Sequence, residues 1–370
     1  MTMYLGLPQS DYIDPSVFAR EQTHILRKLW IFVGLRTLLA EPDSFLTRSI
    51  GGVPIVVQNF DGELRAFRNQ CAHRQAPLQL EEYGQRKLTC RYHGWTFDGA
   101  GQVRGMPGEH RLYHYSEAER AQLCLDRFAV QCIGNLVFVN LDAHPLLIEE
   151  QFSDELRGQL AQISGHFGSQ AIHAVMPSAY NWKLNFENVL DYNHVPFVHP
   201  QTFRPLMQKG AEHEPHIPAD TPPVQTTALH ELSFAGKTPL KIQPWPWHAL
   251  VDRFGNEDAY YNYFLYPNVN FISVGGYVFL IQQFDPIAPD RTDVRFTLAT
   301  ARPTQRIPAL PAIFWGHLKG EKRVLDEDKV ILEALQRGLH AGGPVARHGA
   351  YESQLRRVAL VYEQLMGRSA

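Results

Sequence analysis

Between Cys71 and His93 the chain reads CAHRQAPLQLEEYGQRKLTCRYH, a Cys-x-His followed sixteen residues later by Cys-x-x-His. Each half supplies one thiolate and one imidazole. Such a set suits an asymmetric two-iron, two-sulfide cluster, with Cys71 and Cys90 on one iron and His73 and His93 on the other. Exchanging two thiolates for neutral imidazoles raises the reduction potential to roughly −150 to +300 mV, against about −400 mV for all-Cys plant-type clusters. The pattern therefore points to an electron-transfer centre. A structural zinc site competes with it, but common zinc spacings pair Cys with Cys and His with His.

A second constellation begins at Asn181, in NWKLNFENVLDYNHVPFVHP. A helix over 181–195 would put Trp182, Phe186, Val189 and Leu190 on one face. Glu187, Asp191 and His194 would share another. A solvated polar face accounts for those three equally well. His194 and His199 are five apart and cannot share a face of one continuous helix. Pro196 lies between them, and its ring and missing N–H predict a break there that lets His199 swing back.

A third ligand is sought among misplaced carboxylates. In RVLDEDKVILEALQRGL, Val324, Leu325, Ile331, Leu332, Leu335 and Leu339 form an apolar stripe. Asp328 falls near its middle and Asp326 on the opposite side, so Asp326 and Glu327 are expected to be solvated. An ionised carboxylate on a core-facing stripe is costly unless it is paired or bound to metal. Two His and one carboxylate make the facial triad of non-haem Fe(II) oxygenases. On helical geometry alone, a buried salt bridge explains Asp328 as well as a metal does.

Other candidates carry less. His213 and His216, in EHEPHIP, read as solvated loop residues. Trp245 and Trp247, in PWPWH, either line a pocket or anchor a loop on the core. An aromatic cage for a quaternary ammonium group is one use of such residues. Cys124 and Cys132 read as buried strand or turn residues. GAGQVRG, at 99–105, lacks the strand-turn-helix setting of a nucleotide loop and reads as a turn.

The elements that must carry these residues are legible in outline. Asp14-Pro15 starts a helix in which Phe18, Ile25, Leu26 and Leu29 repeat at helical spacing, expected to end near Gly34. Short β-rich runs follow: SFLTRSI, then VPIVVQNF and ELRAFRN joined by the hairpin signal Asp61-Gly62, and later NLVFVNLD. The expected division is a helical segment over 1–42 packing on the last domain, a small all-β domain over 43–145, and an α+β domain over 146–370. In the last, helices are expected near 147–164, 318–339 and 351–366, with loops over 205–248. YYNYFLYPNVNFISV, YVFLIQQFDPI and DVRFTLATARP read as an antiparallel meander. Helices on a curved antiparallel sheet leave room for a ligand.

At 370 residues, with 44% hydrophobic and 20% charged residues, the chain fits a two-domain soluble enzyme. A net charge of −3 argues against a broad pull towards nucleic acid or anionic membrane. Four Cys suit a reducing compartment. MTMYLGLPQSDY lacks signal-peptide character and no apolar run is long enough to span a membrane, so a cytoplasmic location is expected.

With these motifs in order, the chain resembles the catalytic α subunits of the Rieske non-haem iron oxygenases, the aromatic-ring-hydroxylating family. The resemblance runs through DPSVFAREQTHILRKLWIFVG, CAHRQAPL, CRYHGWTF, NLVFVNLD, ENVLDYNHVPFVHP and DEDKVILEALQRGL. It implies a Rieske cluster on Cys71, His73, Cys90 and His93. It also implies a helix-grip (START-like) catalytic domain with mononuclear iron on His194, His199 and Asp328. Asp191 would bridge electron flow between subunits of a homotrimer, towards His93 and Tyr92 of a neighbour. O2 would be co-substrate, with electrons from NAD(P)H through a separate reductase, with or without a ferredoxin. Many ring-dihydroxylating members have Tyr directly before the first iron His. Here Asn193 holds that place and Tyr192 precedes it, while the form Asp-x-x-His-x4-His is kept, as in many single-component hydroxylases and demethylases. The implied reaction is mono- or dioxygenation or oxidative demethylation of a small organic substrate. A non-catalytic electron carrier is the alternative.

Overall fold

The computed structural model describes residues 3–207 and 228–368. Contacts divide the chain into two compact units, one from Gln22 to Leu146, the other comprising the residues up to Glu21 together with those from Leu147 onward.

The first unit is built on a seven-stranded antiparallel sheet. Its strand order is Ile31–Leu35, Leu136–Asn140, Arg127–Ile133, Glu63–Arg68, Val53–Phe60, Ser44–Ile50 and Tyr83–Gln85. Asp61 and Gly62, both at positive φ, close the hairpin in which Phe60 faces Glu63. The helix expected to reach Gly34 stops earlier: Pro15–Glu21 is helical, a π turn covers Gln22–Leu26, and Ile31–Leu35 is a strand. All five residues of that strand are buried. Periodicity cannot separate such a short continuous apolar run from a buried helix. Its pairing with Leu136–Asn140 is why the chain divides after Glu21 rather than near residue 42. Phe45, Phe67, Trp95, Phe97 and Met106 pack around Cys71 and Cys90 in one buried cluster. The GAGQVRG segment is a turn, as read. Asp98 Oδ1 accepts the Ala100 and Gln102 N–H groups there, joining Thr96–Phe97 to Val103–Gly105.

The second unit carries a seven-stranded antiparallel sheet, six strands running in the order Phe167–Ser178, Arg291–Pro303, Val278–Ala288, Val269–Val274, Ala259–Leu265 and Phe234–Pro239, with the short Val251–Asp252 paired to the end of Arg291–Pro303. Register shifts in the first two pairings introduce bulges, which bend and twist strands. The run read as one strand from Tyr260 is two, turning at Pro267-Asn268. Asp154–Ser164, Trp182–Leu190, the long Leu310–Ala341 and Ser353–Leu365 are its main helices. No helix among the described residues is long and apolar enough to cross a membrane.

Candidate functional site

The two Cys/His loops repeat one backbone pattern. Cys71 N–H donates to Ala76 O and Gln75 N–H to Cys71 O, each at 2.8 Å. Correspondingly, Cys90 N–H donates to Trp95 O at 2.8 Å and Gly94 N–H to Cys90 O at 2.9 Å. The fifth residue of each loop is left-handed, Gln75 at φ 59° and Gly94 at φ 74°. A Cβ on Gly94 would lie 2.9 Å from Pro107 Cγ, so that position needs glycine. Asn69 closes the base of the first loop: its Oδ1 accepts the Leu78 and Gln79 N–H groups, and its Nδ2 donates to Gln79 O.

These loops gather the donors. Cys71 and Cys90 are buried, and burial, with Cys90 alongside, pushes the Cys71 thiol up to about 11. The His73 and His93 ring centroids are 4.6 Å apart, and Trp95 stacks on His73 at 4.6 Å. Burial, then the neighbouring His93 and Arg74, holds His73 below its ordinary range, so it is neutral, as a ligand must be. Nδ1 of both imidazoles is buried without a hydrogen-bond partner. Two adjacent sulfurs and two orphaned nitrogens fit a two-iron, two-sulfide cluster of the His-ligated kind.

In the second unit, Asn181 caps the helix Trp182–Leu190 by accepting the Lys183 N–H at 3.0 Å. The helix ends at Asp191, which is extended (φ −104°, ψ 112°). Asp191 Oδ1 accepts the Asn193 N–H at 2.7 Å, a local bond that competes with helical pairing. The break therefore falls before His194, not at Pro196. Pro196 sits instead in the first turn of Val195–Val198, where its missing N–H is tolerated. That turn returns His199 towards His194, with ring centroids 5.3 Å apart. Glu187 does not join them: it accepts the Tyr12 hydroxyl at 2.6 Å.

Asp328 is buried, as its helical phase predicts, in line with Leu325, Leu332 and Gln336. The buried face is narrower than the apolar pattern, since Ile331 and Leu335 are 45% and 50% exposed. One ligand atom each from His194, His199 and Asp328 lies within 4.8 Å of the others. Asp328 Oδ1 is 3.0 Å from His199 Nε2 and 3.6 Å from His194 Nε2. Glu327, expected in solvent, accepts from His199 Nδ1 at 2.8 Å and from the Thr202 hydroxyl. Its signal was hidden because its partner arrives from a helix break that periodicity does not place. Asp326 pairs with Lys322 on the outer face, in line with its phase. Burial disfavours a charged His199, yet the hydrogen bonds and charges of Asp328 and Glu327 outweigh it and raise its pKa. The setting favours positive charge, and two imidazoles with one carboxylate fit ferrous iron.

The helix that leads into the two histidines and the helix that carries Asp328 are tied together. Gln336, two turns beyond Asp328, accepts the Asn181 N–H at 2.9 Å, and Glu333 accepts the Ala179 N–H at 3.1 Å. Asp191 Oδ2 lies 3.8 Å from His194 Nδ1, with its side chain 30% exposed.

A cavity of about 440 Å³ opens against this triad. Asn262, Asn270 and Gln282 reach it from the sheet, and Gly316, Gly320 and Glu321 from the long helix. Asn262 donates to the Tyr192 hydroxyl at 2.7 Å and Asn270 to Gln282 Oε1 at 3.2 Å. The amide oxygens of both Asn residues are buried without a partner. The two tryptophans divide. Trp245 lines the cavity, whereas Trp247 is buried against His248, Tyr277 and His317 as an anchor. Cys124 and Cys132 are exposed rather than buried, because Arg127–Ile133 turns Cys132 outward and Cys124 sits on the approach to that strand. His213 and His216 lie outside the described residues.

The family model of the Rieske [2Fe-2S] domain matches residues 29–116, and that of the ring hydroxylating alpha subunit (catalytic domain) matches residues 166–368. The glycine betaine monooxygenase oxygenase subunit of Chromohalobacter salexigens is 30% identical over 255 residues, 68% of this chain and 54% of that protein. Choline monooxygenase of Amaranthus tricolor is 26% identical over 354 residues, 93% of this chain and 73% of that protein. The 2-halobenzoate 1,2-dioxygenase large subunit of Burkholderia cepacia is 30% identical over 203 residues, 51% and 42% of the two chains. The chain spans about half the length of the first curated relatives it matches, 54% and 47%. Among solved structures, the quaternary ammonium Rieske monooxygenase CntA superposes with a TM-score of 0.78 at 20% identity, covering 98% of this chain and 96% of that one. Naphthalene 1,2-dioxygenase from Rhodococcus sp. gives 0.73 at 18% identity, covering 98% and 94%. At those identities the likeness is one of fold.

Proposed function

The chain belongs to the ring-hydroxylating alpha subunits and carries their Rieske domain, and on that premise we propose that it is the oxygenase component of a multicomponent system. The reaction is O2- and NAD(P)H-dependent hydroxylation, as mono- or dioxygenation, or oxidative demethylation of a small organic substrate. The observation that carries this reading is the convergence of His194, His199 and Asp328 on the wall of a substrate-sized cavity. In this reading Cys71, His73, Cys90 and His93 hold the cluster, and the triad holds the mononuclear iron. When bound, the cluster supplies single electrons, and the iron supplies a site for reductive activation of O2.

The chain's own residues do the rest. Glu327 accepts the Nδ1 proton of His199, which fixes the tautomer and leaves Nε2 free as a ligand. The cavity holds the substrate beside the triad, and its buried amides orient polar groups on it. Asp191 passes electrons between subunits of a homotrimer, facing His93 of a neighbour. The partly exposed carboxylate beside His194, and the exposed Tyr92 against the His93 ring, support that role. A separate reductase, with or without a ferredoxin, supplies the electrons. We place the protein in the cytoplasm, which four cysteines free of disulfides support.

The test is reconstitution with a reductase. The protein should hold two cluster irons and one mononuclear iron per chain. It should then couple NAD(P)H and O2 consumption to an oxygenated product identified by mass. A chain that holds the cluster irons alone would be an electron carrier instead.

A further inference from the structure

Glu321 lies seven residues before Asp328 on Leu310–Ala341. Two helical turns separate them by about 10 Å along the axis and put both on one face. That face is the cavity wall, to which Glu321 contributes together with Gly316 and Gly320, where an added Cβ would meet no atom within 4 Å. No hydrogen bond or ion pair reaches the Glu321 carboxylate among the described residues. The cationic residues of the lining, Lys241 and Arg323, are exposed and do not pair with it. His248 and His317, also on the wall, are held neutral, chiefly by burial. Tyr260 and Phe203 line the same cavity and pack edge-on at 5.1 Å, and burial first, then Tyr192 and Glu321, oppose ionisation of Tyr260. A carboxylate left unpaired in a largely apolar cavity costs stability unless something else compensates it.

We infer that Glu321 is the counter-charge for a cationic nitrogen, so that this cavity takes an organic ammonium ion whose substituents reach towards the triad. Aromatic faces at Tyr260 and Phe203 would add cation–π attraction to the same group. This rests on the oxygenase reading above and narrows it to one substrate class. Relatives named for glycine betaine, choline and halobenzoate span both charge types. Glu321 supplies a local reason to choose between them.

The test uses holoenzyme and two pairs of probes that differ only in charge: choline against 3,3-dimethylbutan-1-ol, and L-carnitine against 3-hydroxy-5,5-dimethylhexanoate. Calorimetry should show at least one cation bound about tenfold or more tightly than its isostere, as expected of a partly buried charge pair. Glu321→Gln should erase that preference without changing isostere binding or the cluster spectrum. Equal binding within both pairs by the native protein would overturn the inference, as would a preference that survives in Glu321→Gln. Should that variant fail to fold, the native comparison and Glu321→Asp, which should keep the preference, decide. The two readings fail separately. A charge preference without substrate-coupled O2 uptake would sink the oxygenase reading alone. Coupled oxidation of benzoate, with no preference in either pair, would sink the ammonium site alone.

Discussion

His199 Nδ1 and Glu327 Oε2 are joined at 2.8 Å, so the second histidine of the triad is held by the residue that directly precedes the triad's carboxylate, Asp328. Adjacent residues on a helix point about 100° apart. One helical segment thus offers a carboxylate to the metal position and another to the back of its neighbour. Partners of this kind typically change metal affinity 10- to 100-fold. Glu327→Ala should weaken iron retention by about that factor while leaving the visible spectrum of the cluster unchanged. Competition with a graded chelator would measure it, and unchanged retention would mean that Thr202 or water replaces the bond.

Asp328 and Asp326 make a matched pair for the mononuclear site, one buried and one in an outer ion pair with Lys322. Asp328→Ala should lower iron by about one atom per chain and abolish product with the cluster spectrum intact, as the three-ligand arrangement requires. Asp326→Ala should do neither. Iron analysis of both variants beside the native protein gives the comparison.

Legibility followed the physics of each signal. Asp328 was readable because a charge in an apolar stripe violates a strong rule. Glu321 was in phase with Asp328 by the same 100° geometry, yet nothing local marked its surroundings as a cavity. The approach of His199 to His194 was expected, but its cause was misplaced. Proline is the louder helix breaker, whereas the Asp191 side-chain bond to Asn193 N–H acts first. Ile31–Leu35 was lost to the ambiguity of five consecutive apolar residues. The meeting of the two Cys/His loops was legible from their spacing, but their shared backbone pattern was not, because Gln75 adopts a left-handed conformation that its residue type does not announce.

The helix Trp182–Leu190 begins on a buried ion pair. Lys183 and Glu21 are 3% and 0% exposed. Lys183 Nζ also donates to Asp11 O, while Trp182 Nε1 and the Tyr362 hydroxyl donate to Glu21. Removing one partner strands a buried charge. Lys183→Met should therefore cost about 3–5 kcal/mol, whereas replacing both partners by apolar residues should recover much of it. Denaturant unfolding of the single and double variants would show whether the loss is non-additive.

Asp191 stands at the boundary between the helix and the first histidine, 3.8 Å from its ring nitrogen and partly exposed. If it carries electrons between subunits, Asp191→Ala should keep most of both kinds of iron and the trimer's mass in solution, yet lose oxidation of a prereduced cluster when substrate and O2 are added. Single-turnover absorbance reads this directly. A fully active variant would reduce Asp191 to a helix-terminal charge.

The charge of Glu321 also makes a pH prediction. Burial pushes its carboxyl up to about 7, above its unfolded value, so the folded protein binds the extra proton between those two values. Rising pH through that window therefore lowers folding stability while creating the anion that a cation needs. A quaternary ammonium probe has no proton of its own to lose. Its affinity should fall about tenfold from pH 8 to pH 6 if only ionised Glu321 binds it. His248 and His317 are shifted towards neutrality, and protonating either towards acid would only add repulsion to a cation, so neither reverses the sign. Calorimetry in buffers of different ionisation enthalpy should show a proton released on binding near pH 7. Glu321→Gln should give a flat profile with no release. A native profile that rises towards acid would place the binding charge elsewhere.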